Sequence, residues 1–345
     1  MSTPIDSLRK LAGLPMRKAP AVGVTPADVV FTENKWRLLR YRSANRRFAT
    51  PVLLVPSLIN RHYVLDLMPG KSLAEWLVAQ GHDVFVIDWG TPGAEDRWLT
   101  FDDVCDRYLG RALRKTAKIG GETPHVLGYC LGGTLAAIHA AARPGSMASL
   151  VALAAPVRFQ DGGLLSAWTQ TKSFDVDAMC DATGLVPWQL LQGAFQLLRP
   201  TLGLMKAVQL LDRAWNDEFL DGFLALETWG NDNVAFPGDV YRRYVKELYR
   251  EDALLSGTFR LSGKRVDLAK LSCPLLAVTF EHDGIVPWRS AAELVDRAGS
   301  RDKRRLHLSG GHVGAVVSKH AAKSLWPELS TFWSSRDAAR RLRVA

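Results

Sequence analysis

The chain has 345 residues with a formal net charge of +9, and 47% of its residues are hydrophobic, which suits one large α/β domain with an insertion or two ordinary domains. No apolar run reaches the roughly 18 residues that a membrane-spanning helix requires, so we predict no transmembrane segment. No helix-turn-helix, zinc-finger or RNP pattern accompanies the basic charge, so we predict no nucleic-acid partner either.

Apolar runs in the first half of the chain alternate with helical patterns. An N-terminal arm over residues 1–28 precedes the first α/β segment, which extends over residues 29–156. The strands are predicted at 36–41, 51–55, 84–88, 125–129 and 150–154, and the helices at 71–80, 104–116 and after residue 133. Near-continuous apolar strands that alternate with helices are typical of a mostly parallel central sheet flanked by helices on both faces.

The pattern changes in the second half of the chain. Strand signals are absent from 157–266, where helical periodicity and several tryptophans predict a helical cap inserted over the active site. A cap of this kind excludes water from the chemistry beneath it. The α/β pattern then resumes at 267–335 and is followed by a basic tail at 336–345.

A predicted strand, a tight turn and a helix meet at Cys130. Gly128 and Gly132 stand two residues to either side of the thiol, giving the pattern Gly-x-Cys-x-Gly. This is the pattern of a nucleophile elbow in which cysteine replaces serine, because flanking glycines let the strand and the helix approach closely. Alone, the pentapeptide is equally compatible with a buried structural cysteine.

A carboxylate and a histidine follow in the order that an elbow enzyme requires, which is nucleophile, acid, histidine. Asp283 lies in a loop after the apolar run 274–280, and His312 ends a Gly-Gly-His sequence after the run 304–308. We therefore predict the catalytic triad Cys130, Asp283 and His312, with His312 as general base and Asp283 orienting its ring.

Two backbone amides are predicted to form the oxyanion hole. One is the N–H of Leu131, directly after the nucleophile. The other belongs to the loop after the strand at 51–55, where either Leu58 or Ile59 supplies it.

A thiol nucleophile favours acyl transfer over hydrolysis. When a cysteine attacks a thioester, the exchange is close to isoenergetic, and the acyl group stays activated for transfer to a poorer nucleophile such as an alcohol. The phosphates of a coenzyme A substrate would also suit the basic balance of the chain.

We predict no metal and no bound cofactor, because no H-E-x-x-H, zinc-ligand or post-strand G-x-G-x-x-G pattern occurs. The N-terminus lacks the continuous apolar segment of a signal peptide. The cysteines show no C-x-x-C spacing and stand at positions 105, 130, 180 and 273. Free thiols and no export signal favour a cytoplasmic protein.

Several segments together resemble the polyhydroxyalkanoate synthases, especially the short catalytic subunits of the two-component kinds, which are members of the α/β-hydrolase superfamily. The resemblance covers residues 29–335. The matching segments are VPSLINR (55–61), YVLDLMPG (63–70), VIDWG (86–90), GYCLGG (128–133), WGND (229–232), PG (237–238), VPW (286–288) and GGHVG (310–314).

The resemblance implies an acyltransferase that polymerises (R)-3-hydroxyacyl-CoA into polyhydroxyalkanoate, such as poly-3-hydroxybutyrate, with release of CoA. Carried over by motif, Cys130 holds the growing chain as a thioester, and His312 deprotonates the thiol and the incoming hydroxyl. Asp283 assists His312, mainly during elongation. The resemblance also implies a second, non-catalytic synthase subunit, a homodimer and association with the surface of a polymer granule.

Two departures from the family pattern and two rival functions remain open. Many members have His after the acid, where this chain has Gly284, and the long N-terminal domain of the single-component synthases is absent. The main rival is a cysteine-dependent α/β-hydrolase, such as an acyl-CoA thioesterase or an ester hydrolase. A catalytically silent granule-binding protein is the second rival, which the ordered triad disfavours.

Overall fold

A single large sheet organises the chain, for which the computed structural model describes residues 4–198 and 202–344. The strands of the described residues are β1 (Ala27–Glu33), β2 (Trp36–Tyr41), β3 (Val52–Val55), β4 (Val84–Asp88), β5 (His125–Tyr129), β6 (Ser149–Leu153), β7 (Leu185–Val186), β8 (Phe236–Pro237), β9 (Arg260–Leu261), β10 (Lys264–Arg265), β11 (Leu275–Phe280) and β12 (Lys303–Leu308). Eight of these described strands form the sheet in the order β1-β2-β4-β3-β5-β6-β11-β12.

The sheet is mostly parallel, as predicted. Strands β1 and β2 pair antiparallel, as do β2 and β4, and every other pairing in the sheet is parallel. The carboxyl ends of β3, β5, β11 and β12 therefore meet at one edge of the sheet, where open α/β sheets place their sites.

Helices cover both faces of this sheet. The α-helices of the described residues are α1 (Pro4–Gly13), α2 (Leu73–Ala79), α3 (Leu109–Gly120), α4 (Leu131–Ala142), α5 (Leu164–Gln170), α6 (Val176–Thr183), α7 (Trp188–Leu197), α8 (Leu202–Arg213), α9 (Asp217–Asn231), α10 (Gly238–Arg243), α11 (Ala253–Ser256), α12 (Trp288–Arg297), α13 (Gly314–Val317) and α14 (Lys319–Val344). Short 3₁₀ turns occur at 14–16, 62–65, 94–98 and 268–270, and π-helical segments at 103–108 and 244–250.

Two apolar layers, one on each face of the sheet, form the core. The first layer joins α3, α4 and α12 to the sheet and continues into the cap, where it includes Phe236 and Val240. The second joins α2, α13 and α14, with Trp326 and Trp333 fully buried. Burying one such side chain stabilises the fold by about 1.5–3 kcal/mol, so α14 is an integral part of the domain.

The described part of the predicted cap, residues 157–198 and 202–266, is mainly helical, and it also contains short strands that the periodicity did not predict. Strand β7 (Leu185–Val186) pairs with β8 (Phe236–Pro237), and β9 pairs with β10 in a hairpin. The strand predicted at 36–41 is β2, and the structure adds the unpredicted strand β1 (Ala27–Glu33) before it. Helix α14 continues through the predicted basic tail to Val344.

One buried histidine in the core predicts a pH dependence of stability. His82 stacks on Phe48 at 4.4 Å, and its Nε2 lies 2.9 Å from Ser330 Oγ. Burial lowers the pKa of His82 from 6.5 to about 4, which the charge of Asp337 only partly opposes. The unfolded chain therefore binds a proton near pH 6.5 that the folded protein does not bind until about pH 4, and stability is lost as the pH falls through this window.

Between pH 7 and pH 5, this single group should lower the free energy of unfolding by about 2 kcal/mol. The measurement is urea unfolding at both pH values for the wild type and His82→Gln. Between pH 7 and pH 5, the free energy of unfolding should fall by about 2 kcal/mol less in the variant than in the wild type. An equal loss in the two proteins would contradict the assignment.

Candidate active site

Cys130 lies at the apex of a strained turn between β5 and α4. Its backbone has φ 54° and ψ −129°, a conformation that costs a non-glycine residue about 1–3 kcal/mol and that the surrounding structure must hold in place. Part of that support is a hydrogen bond of 2.9 Å from Cys130 N to Leu153 O of β6. The side chain is only half-buried, so the turn presents the thiol at the carboxyl edge of the sheet.

The flanking glycines are sterically required. A Cβ on Gly128 would lie 2.4 Å from Gly133 Cα, and one on Gly132 would lie 2.1 Å from Val55 O and 2.5 Å from Pro56 O. No side chain fits at such distances from backbone atoms. The first turn of α4 therefore packs directly against the end of β3 and the loop that follows it.

Asp283 and His312 are brought together by the loops after β11 and β12. Asp283 Oδ2 lies 2.7 Å from His312 Nδ1, and its Oδ1 accepts hydrogen bonds of 2.9 Å from the amides of Ile285 and Val286. The side chains of Asp283 and His312 are 0% and 7% exposed. The carboxylate is thereby fixed by two backbone donors, and the imidazole presents Nε2 as the nitrogen free to exchange a proton.

The environment of His312 stabilises its charged form. Burial alone would lower the pKa of His312, but the negative charges of Cys130 and Asp283 and the hydrogen bonds to both side chains outweigh it and raise the pKa to about 10. A hydrogen-bonding contact between Cys130 and His312 is one of those causes. The imidazolium is therefore stabilised when it holds the proton of the cysteine, as nucleophile activation requires.

Tyr129, the residue directly before the nucleophile, contacts His312. Its ring stacks on the His312 ring with centroids 5.2 Å apart, and its hydroxyl donates to His312 O at 3.1 Å. Sequence reasoning did not identify Tyr129 as a functional residue, because only its place in the elbow distinguished it. The contact restrains both the backbone and the ring of His312.

The predicted oxyanion amides lie on both sides of the elbow. Leu131 is the first residue of α4, so its N–H belongs to the positive end of the helix dipole. Leu58 and Ile59 lie on the loop after β3, which contacts the start of α4 at Gly132. Ile59 N already has an acceptor in Ser57 Oγ at 3.4 Å, which is a weak bond that a substrate oxyanion can displace.

The cap contributes a cluster of aromatic residues. Tyr244 and Tyr249 belong to a π-helical segment, and their rings pack edge to face at 5.2 Å and against Phe159. Burial, with the charge of Cys130 among the further causes, raises the pKa of each tyrosine. Sequence reasoning did not identify these residues, because an aromatic residue in a helical segment is usually part of a core.

Two negative findings apply to the described residues. Within 4–198 and 202–344, no helix is long and apolar enough to cross a bilayer. In the same part of the chain, no group of three or more His, Cys, Asp and Glu side chains is arranged to hold a metal ion.

The comparison with known proteins identifies the family. Residues 50–316 match the alpha/beta hydrolase fold family, and residues 19–77 match the family described as the N-terminus of poly-beta-hydroxybutyrate polymerase (PhaC). A protein of Allochromatium vinosum named poly(3-hydroxyalkanoate) polymerase subunit PhaC is 33% identical over 342 residues, which cover 96% of each chain. The chain belongs to the poly(3-hydroxyalkanoate) polymerase family. The predicted resemblance and the prediction of an enzyme of this family are confirmed.

Other polymerases of this name differ in length. The relative in Haloferax mediterranei is 35% identical over 92% of this chain, which spans 65% of that protein. The relative in Cupriavidus necator is 32% identical over 87% of this chain, which spans 52% of that protein.

Solved structures confirm the predicted α/β-hydrolase fold. An esterase from a Rhodococcus species superposes with a TM-score of 0.52 at 15% identity, covering 90% of this chain and 98% of the esterase. A monoacylglycerol lipase from Paleococcus ferrophilus superposes with a TM-score of 0.51 at 18% identity, covering 86% and 99%. At these identities the likeness extends to the fold alone.

Proposed function

We propose that this polymerase joins (R)-3-hydroxyacyl units from coenzyme A thioesters into polyhydroxyalkanoate, with release of CoA and with the chain held on Cys130. The observation that carries the proposal is a thiol on a strained elbow beside a buried His312–Asp283 pair. The choice of polyhydroxyalkanoate as the polymer follows from the names of the relatives. The positive net charge of the chain suits the negatively charged phosphates of coenzyme A.

In the first step, His312 Nε2 takes the thiol proton and Cys130 Sγ attacks the thioester carbonyl. The negative charge that develops on the carbonyl oxygen is stabilised by the N–H of Leu131 and by one amide of the loop after β3, either Leu58 or Ile59. The C–S bond to coenzyme A then breaks, and His312 returns the proton to the departing CoA sulfur. The product is an acyl-enzyme thioester.

In the second step, the hydroxyl of another hydroxyacyl unit attacks the Cys130 thioester. His312 accepts the hydroxyl proton, and the proton passes to the cysteine sulfur as the C–S bond breaks. One ester bond replaces the Cys130 thioester, which leaves the lengthened chain on the coenzyme A of the incoming hydroxyacyl unit. Cys130 then attacks that thioester as in the first step, which returns the chain to the cysteine and releases the CoA, so the chain grows by one unit in each cycle. Asp283 stabilises the imidazolium in both steps.

The relatives are named polymerase subunits, which favours an assembly of more than one chain. We propose that a second, non-catalytic subunit accompanies this one, that the catalytic chain forms a homodimer, and that the assembly works in the cytoplasm at the surface of the polymer granule.

The test is CoA release from (R)-3-hydroxybutyryl-CoA by the purified protein, with the acyl product identified in the same reaction. We expect poly-3-hydroxybutyrate as the product, with one CoA released for each 3-hydroxybutyryl unit that enters the polymer. Free 3-hydroxybutyrate in place of polymer would overturn the synthase in favour of a thioesterase. Acylated Cys130 without turnover would support the acyl-enzyme and indicate that the second subunit is required.

A further inference from the structure

The loop after β3 is held in place by the cap. Trp229 Nε1 donates to Arg61 O at 3.0 Å, and Val234 N donates to Ile59 O at 3.4 Å. Asn60 and Asn233 form an antiparallel bridge, and their side-chain amides hydrogen-bond to each other. The cap segment 229–234 thus contacts three consecutive residues of the loop.

The two candidate oxyanion amides lie between one core anchor and one cap anchor. Pro56 O accepts a hydrogen bond of 3.0 Å from Trp89 Nε1, which belongs to the α/β core. Ile59 O accepts its bond from the cap residue Val234. The amides of Leu58 and Ile59 belong to the peptide units between these two carbonyls. Their direction therefore depends on the cap as well as on the core.

Asp232 secures the far end of the same loop. Its Oδ1 lies 3.0 Å from Arg61 Nε, and its Oδ2 accepts a hydrogen bond of 2.6 Å from Tyr63 OH. Burial and this hydrogen bond raise the pKa of Tyr63, so the phenol remains a donor. Arg61 also reaches Thr91 Oγ1 at 2.8 Å. The carboxylate of the cap residue Asp232 therefore links Arg61, at the end of the loop, to Tyr63, which follows the loop.

We propose that the cap segment 229–234 completes the oxyanion hole by clamping the loop after β3, and that Asp232 and Asn233 are positioning residues of the reaction. The proposal rests on the acyl-enzyme mechanism given above. The cap then has a second role besides excluding water, because the site is fully assembled only while the cap is seated on the loop.

The test compares two reactions of the same thiol. Acylation of Cys130 by (R)-3-hydroxybutyryl-CoA or p-nitrophenyl acetate passes through an oxyanion, whereas alkylation by iodoacetamide needs the thiolate but forms no oxyanion. In Asp232→Asn, the rate of acylation should fall by about tenfold or more, since complete loss of one oxyanion donor costs about 10²–10³ in kcat. The rate of alkylation should stay within about twofold of the wild type.

Both rates are measured at Cys130 by mass spectrometry of the intact protein and of its peptides. A matched control is Asp221→Asn, which removes a carboxylate of α9 that binds Arg17 of the N-terminal arm and does not contact the loop. This control should leave the ratio of the two rates unchanged. Asn233→Ala, which removes the amide contact to Asn60, should lower the ratio in the same direction as Asp232→Asn.

Three outcomes would overturn the proposal. In the first, Asp232→Asn leaves acylation unchanged. In the second, acylation and alkylation fall together, which would indicate general damage to the triad. In the third, the Asp221→Asn control lowers the ratio equally. Failure of the proposed function is distinguishable, because it would appear as p-nitrophenyl acetate acylating wild-type Cys130 while the hydroxyacyl-CoA does not.

Discussion

Cys130→Ala is expected to release no CoA from (R)-3-hydroxybutyryl-CoA and to form no acyl-enzyme. The remaining groups of the site cannot replace a covalent nucleophile, and loss of the nucleophile from a comparable triad costs about 10⁶-fold in kcat. Because alanine is smaller than cysteine at a half-buried position, the variant should fold normally. The measurements are CoA release, monitored with a thiol reagent, and the mass of the intact protein after incubation with substrate.

Cys273→Ala is the matched control for this experiment. Cys273 is also half-buried, but burial raises the pKa of its thiol to about 11, so its thiolate is scarce at neutral pH. The control should retain wild-type turnover and should be acylated once, at Cys130. Turnover in Cys130→Ala above about one part in 10⁴ of the wild-type rate would refute the mechanism, given the expected loss.

Local patterns were sufficient to predict the frame of the molecule. The apolar runs at 52–55, 84–88, 125–129 and 275–280 are strands because they are fully buried between two helical layers. A strand that is buried on both faces has no alternating polar residues, so it forms a continuous apolar run. Such a run can be recognised within a single short segment of the sequence. Strand β1 was harder to predict, because it pairs at the edge of the sheet and mixes exposed with half-buried residues.

The candidate triad was predictable for a related reason. Its members follow strands whose carboxyl ends share one edge of the sheet, so their order along the chain and their glycine-rich surroundings already indicate a common site. The structure places Asp283 and His312 in contact through loops 29 positions apart. No further information was needed to select these residues, although their catalytic roles remain predictions.

The contacts between the cap and the loop after β3 could not be predicted from local patterns. Arg61 and Asp232 are separated by 171 positions, and Asn60 and Asn233 by 173. Neither segment contains a pattern that identifies a contact so far away along the chain. An arginine beside an asparagine is common in any exposed loop. The aromatic residues Tyr244 and Tyr249 were missed similarly, because their position near Cys130 depends on how the cap folds over the sheet.

The two steps proposed for this polymerase place different demands on His312. In acylation it removes a proton from a thiol, whose ordinary pKa is about 8.5. In elongation it removes a proton from a hydroxyl group, whose pKa is several units higher. Asp283 raises the pKa of His312, both through its charge and through the hydrogen bond to Nδ1. His312 is therefore a stronger base, and this matters most in elongation, because the hydroxyl group is a weaker acid than the thiol.

Asp283→Asn should therefore slow elongation far more than the first acylation. The amide can still accept from the Ile285 and Val286 amides, but its NH₂ group would face His312 Nδ1 and favour the tautomer in which Nε2 carries the proton and cannot act as base. A thiol, whose ordinary pKa is about 8.5, still ionises in part without that base, whereas a hydroxyl group does not. In a serine triad, the equivalent change lowers kcat by about 10⁴-fold, and we expect a loss of that order in elongation but a loss below about 10²-fold in acylation. Rapid-quench measurement of acyl-enzyme formation, followed by steady-state polymer synthesis, separates the two steps. Equal losses in both steps would show that Asp283 has no divided role, and a wild-type melting temperature in the variant would exclude unfolding as the cause of either loss.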